Sequence, residues 1–291
     1  MHATRGVLVA MSAILAAALV AAIPARAVPA GCAATLPIPS GEGTFVLTVT
    51  DFDAARRAKV LTASSELVVL PKAVGEKDFA ALSRLQQSIG QLPQTMVRPL
   101  LTGQGPSLYP SRAVGCAVSS MFGPETEVVR LTDDAKLTSG SGFRVAMKGR
   151  VGIISPIGQE RAASVQQPQQ QPAYLRTLLQ GLDEDNAMSG LIVKSLTVEN
   201  RGHSLAAVAK NGKLEYVISW SASDVATDTL VARARKAAKS SAMIKTFGTP
   251  VIARSGKRVR ITFTPKEAAM TMFVFVGSQD KDALWDGVFQ S

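Results

Sequence analysis

Asn211-Gly212, followed by Lys213-Leu214-Glu215-Tyr216-Val217-Ile218-Ser219-Trp220, decides the fold. Asn-Gly is the dipeptide best suited to the positive backbone angles of a two-residue hairpin turn. Residues 204–210 supply the preceding arm. On the second arm Leu214, Tyr216, Ile218 and Trp220 share one face, so that face is expected to be buried. Other short turns repeat the pattern: Gly149-Arg150 separates strand-like residues 143–148 and 151–154, and Ser255-Gly256 separates 251–253 from 257–264.

Helical patterns fall between these strands. Residues 76–91 place Phe79, Leu82, Leu85 and Ile89 on one helical face, and Tyr174, Leu175, Leu178, Leu179 and Leu182 do the same after residue 172. Asp51-Phe52-Asp53 opens a short helix after a strand at 44–49. Ser223 or Asp224 can cap a helix running to about Lys239, with acids early and Arg233, Arg235, Lys236 and Lys239 late, as the helix dipole favours. Further strands are expected at 66–70, 125–131, 191–198 and 272–276, a closing helix at 280–289, and a loop at 103–109. Strands joined by short turns indicate an α+β architecture of mainly antiparallel sheet with packed helices.

Gln166-Gln167-Pro168-Gln169-Gln170-Gln171-Pro172 contains no apolar side chain with which to join a core. It is expected to be hydrated and extended, a linker over residues 161–172 between two lobes, 28–160 and 173–291.

Residues 1–27 carry Arg5, an apolar run from Val7 to Ile23 and the small-residue exit Ala25-Arg26-Ala27, the layout of a secretory signal peptide. The expected address is periplasmic or secreted. Removing that leader takes Arg5 and Arg26 from 32 basic residues and leaves 30 against 22 acids. The two cysteines, Cys32 and Cys116, are expected to pair in an oxidising compartment, closing a loop of about 85 residues.

Chemistry-bearing motifs are sparse. After the leader, His203 is the remaining imidazole, expected in a solvated turn, so histidine-rich metal sites and most hydrolase triads are disfavoured. Asp183-Glu184-Asp185 lacks the alternating acids and interior glycine of a calcium loop and is expected to be a solvated turn. There is no phosphate-binding loop, no nucleophile elbow and no cofactor motif. Asp51 with Asp53, or Asp133 with Asp134, could serve a carboxylate-based periplasmic hydrolase.

Charge supplies the stronger lead. Between Thr229 and Lys266 there are ten Lys or Arg residues and no acid. Val259, Ile261 and Phe263 would face the core, leaving Arg258 and Arg260 at solvent. With Arg233, Arg235, Lys236, Lys239, Arg254 and Lys257 they would form a basic face for anionic envelope polymers or lipid headgroups. Few aromatics interleave with that charge, which argues against sequence-specific nucleic-acid recognition. The expected function is a non-catalytic binding or structural role in the cell envelope.

Overall fold

The computed structural model describes residues 31–40, 46–61, 89, 105–107, 114–120, 126–132, 137–158, 164–194, 200–211, 213–239 and 248–264. The leader, the strands expected at 66–70 and 272–276, the helix at 280–289 and all of the 76–91 helix except Ile89 lie outside them.

In chain order the described elements are β1 (Ile38–Pro39), β2 (Val46–Asp51), α1 (Phe52–Arg57), β3 (Gly105–Ser107), β4 (Val114–Ser120), β5 (Glu127–Leu131), β6 (Thr138–Ser141), β7 (Phe143–Lys148) and β8 (Val151–Pro156). They continue with β9 (Val165–Gln166), a 3₁₀ turn (Pro168–Gln170), α2 (Ala173–Glu184), β10 (Ala187–Lys194), β11 (Arg201–Lys210), β12 (Lys213–Ala222), α3 (Thr227–Ala238), β13 (Val251–Ser255) and β14 (Arg258–Phe263).

Ten of these strands form one main antiparallel sheet in the order β13-β14-β12-β11-β10-β2-β4-β5-β8-β7, with β6 and β3 continuing from β7. The expectation of two lobes is therefore corrected. β10 from the second half pairs with β2 from the first, Ser189 opposite Thr50 and Val193 opposite Val46, so the sheet runs unbroken between the halves. Nor is the Gln/Pro segment simply hydrated: β9 pairs with β1, and Gln171 is buried.

The hairpin forms in the expected register, Lys210 opposite Lys213 and His203 opposite Trp220, with Asn211 at φ 51°. Side chains alternate across a strand, and here both faces are covered. Val217 of β12 joins Leu47, Val118, Ile192 and Ala206 beneath Leu175, Leu178, Leu179 and Leu182 of α2. Tyr216, Ile218 and Trp220 join Leu205, Val259, Ile261 and Phe263 against Leu230, Val231 and Ala234 of α3 on the other side. A third cluster, centred on Phe52, Ala55, Val129 and Ile154, packs α1 against β4 and β5.

Several local expectations change. Asp51 caps α1 through Ala54 N–H at 2.8 Å. By contrast α3 starts at Thr227 with no side-chain cap, because the Asp224 carboxylate pairs with Arg201 at 2.6 Å. Residues 105–107 form a short strand on β6 inside the expected loop. His203 lies in β11 and is buried rather than in a solvated turn. A disulfide joins Cys32 and Cys116, whose Cα atoms are 5.8 Å apart. Such a bridge suits an oxidising compartment. Among the described residues no helix is long and apolar enough to cross a membrane.

Candidate functional site

Alternation along β14 sends Val259, Ile261 and Phe263 toward α3, as expected, and Arg258 and Arg260 to the opposite face. That face is not open at Arg258, because α2 crosses it. Arg258 is 2% exposed. Its Nη1 donates to Asp185 Oδ2 at 2.7 Å and to Ser219 Oγ at 2.8 Å, and its Nη2 to Glu184 Oε2 at 3.3 Å. Arg260 Nε donates to Asp185 Oδ1 at 2.9 Å, and its Nη1 donates to Thr262 Oγ1. The expectation of two solvent-facing arginines is corrected: one is buried, and both are held by acids at the end of α2. Gly181 makes the approach possible, since a Cβ there would stand 2.6 Å from Arg258 Nε.

The remaining cations divide by face. Arg254 pairs with Asp228 in the first turn of α3 at 2.9 Å. Arg235, Lys236 and Lys239 are exposed on the outer side of α3, with Arg233 half-buried beside them. None of these four is in an ion pair among the described residues. They lie across the sheet from Arg258 and Arg260, so the eight cations make two separate groups rather than one face.

Lys257, exposed in the β13–β14 turn, belongs to the α2 side. There a cavity of about 390 Å³ opens between that turn and α2, lined by Arg176, Thr177, Gln180 and Glu184 of the helix and by Lys257 and Arg258. Arg176 is fixed at its edge by Nη1 donating to Gln171 O at 2.6 Å. No protein-family model, curated protein or solved structure matches this chain. The site therefore has to be read from its own geometry. Sequence reasoning missed Arg176, which sits outside the acid-free cationic run that drew attention to the other residues.

The acidic run that closes α2, Asp183 and Glu184 in its last turn and Asp185 at its C-cap, makes three structural contacts instead of forming a solvated turn. Asp183 accepts the N–H groups of Ala33 at 2.8 Å and Ala34 at 2.9 Å, fastening the segment that carries Cys32. Glu184 and Asp185 hold Arg258. Burial pushes the Asp183 carboxyl above its ordinary range, with the two backbone N–H bonds acting in the opposite direction.

Of the carboxylates considered for a hydrolase, burial pushes Asp51 up to about 6, against the opposing pull of Ala54 N–H and Arg57. Asp53 pairs with Arg56 at 2.8 Å and Arg130 at 3.6 Å, and Asp133 with Asp134 lies outside the described residues. The described members of those pairs thus cap or tether α1. Among the described residues no cluster of three or more His, Cys, Asp or Glu is arranged to hold a metal ion.

Proposed function

We propose that this chain is an exported cell-envelope protein with a non-catalytic binding role, contacting the phosphate or carboxylate groups of anionic surface polymers or lipid headgroups through the outer side of α3. The observation that carries the reading is the set Arg233, Arg235, Lys236 and Lys239: one helix face with three exposed cations, a fourth half-buried, and no ion pair to any described acid. Arg254, Arg258 and Arg260 give their charge to Asp228, Glu184 and Asp185, so they contribute less to an external anion. The leader-like first 27 residues and the Cys32–Cys116 disulfide support the envelope address.

The test is co-sedimentation of the purified protein with phosphatidylglycerol-containing vesicles and, separately, with an anionic polysaccharide. Each basic residue near an anionic surface contributes about 1 kcal/mol. The triple variant Arg235→Glu, Lys236→Glu, Lys239→Glu should therefore bind at least about tenfold more weakly, and raising salt should weaken the unmodified protein in the same direction. Binding that ignores both changes rejects the reading.

A further inference from the structure

We propose that the cavity between α2 and the β13–β14 turn binds a phosphate group carried on a small polar molecule, a sugar phosphate being the fitting class. The cavity lies on the opposite face of the sheet from the α3 cations and is independent of them. At about 390 Å³ it is larger than a bare anion needs and falls in the range of small-ligand sites. Its lining mixes polar and apolar surface, contains no aromatic ring, and includes Thr177, whose hydroxyl donates to Ala173 O and keeps its acceptor capacity, and Gln180, a side chain able to meet hydroxyl groups.

The charge balance selects an anion. Arg176, Lys257, Arg258 and Arg260 stand around or behind the cavity with Glu184 and Asp185, so four cations face two carboxylates and two positive charges remain. Asp185 is held by both arginines, whereas the Glu184 side chain is 63% exposed and meets Arg258 only at 3.3 Å. An incoming phosphate can displace Glu184 outward without disturbing Asp185. Arg258 is already fixed by Ser219 and Asp185, so its planar donor fork loses little freedom on binding. Its Nε is buried with no hydrogen-bond partner among the described residues. Lys257, exposed at the lip, supplies a mobile charge that can close on the phosphate.

Isothermal titration with glucose 6-phosphate, inorganic phosphate and glucose tests the site, with circular dichroism confirming that each variant folds. Glucose 6-phosphate should bind more tightly than inorganic phosphate, and glucose should give no measurable heat. Lys257→Glu and Arg176→Glu should each weaken the sugar phosphate by about tenfold. The α3 triple variant should bind it unchanged, which separates this site from the proposed polymer face. Phosphatidate vesicles provide the other source of phosphate, and Lys257→Glu should leave their binding unaltered. The proposal is overturned if glucose 6-phosphate does not bind at millimolar concentration, if neither lip variant changes its affinity, or if only the vesicles respond to Lys257→Glu.

Discussion

Arg258 Nη1 donates to Asp185 Oδ2 at 2.7 Å, tying the start of β14 to the C-terminal end of α2 with both side chains at 10% exposure or less. Two charges taken out of water cost several kcal/mol, and their attraction offsets this only while every donor and acceptor stays engaged. Ser219 on the neighbouring β12 and Arg260 on β14 itself meet most of that requirement, leaving Arg258 Nε as the donor without a partner among the described residues.

Asp185→Ala should consequently lower unfolding stability by about 3–5 kcal/mol, because it strands a buried guanidinium. The double variant Asp185→Leu, Arg258→Met should recover most of the loss, since no charge is then left buried. Urea denaturation of the two variants decides the matter. A loss below about 1 kcal/mol for Asp185→Ala would mean that water reaches Arg258 and that the pair behaves as a surface bridge.

The sequence made the hairpins legible because their information is local: a turn dipeptide, Asn211-Gly212 or Gly149-Arg150, between arms of period two. Sheet-wide pairing is not local. β2 and β10 lie about 140 positions apart, and nothing in either strand names its partner, so the sequence alone reads as two lobes separated by a Gln/Pro stretch. β4, Val-Gly-Cys-Ala-Val-Ser-Ser, is buried along its whole length and shows no alternation, so no period-two pattern marks it as a strand. Alternation did separate Val259, Ile261 and Phe263 from Arg258 and Arg260. What it could not reveal was that α2 covers the second face, which turned an expected surface cation into a buried one and made Glu184 and Asp185 its partners.

The disulfide and Asp183 fasten the same segment. Cys32 bridges to Cys116 in β4, and the next two residues, Ala33 and Ala34, donate to Asp183 at the end of α2. Replacing both cysteines by alanine should cost about 2–5 kcal/mol. Asp183→Ala, which leaves two partly buried N–H groups without their acceptor, should cost about 1–3 kcal/mol. Because both changes release one segment, the triple variant should lose less than the sum. Strict additivity in chemical denaturation would show that the bridge and the carboxylate act on separate parts of the fold.

Two buried groups tilt the pH dependence of stability in opposite directions. Burial raises Asp51 from 3.8 to about 6, so between those values the folded state holds a proton that the unfolded chain has released, and stability falls as pH rises through that window. The contribution is on the order of 3 kcal/mol. His203, buried in β11 between Val193 and Trp220, is pushed down to about 3. There the unfolded chain takes up the proton first, so stability is lost as pH falls from about 6.5 toward 3. Asp51→Asn keeps a capping side chain and should remove the first slope, making the variant gain on the unmodified protein as pH rises from 4 to 6. His203→Gln should remove the second, flattening the acid limb. Urea midpoints measured at half-unit intervals distinguish the two. If His203→Gln follows the unmodified protein across pH 4–6.5, the imidazole is taking up its proton inside the folded sheet, and the packing of β11 against Trp220 must open to admit it.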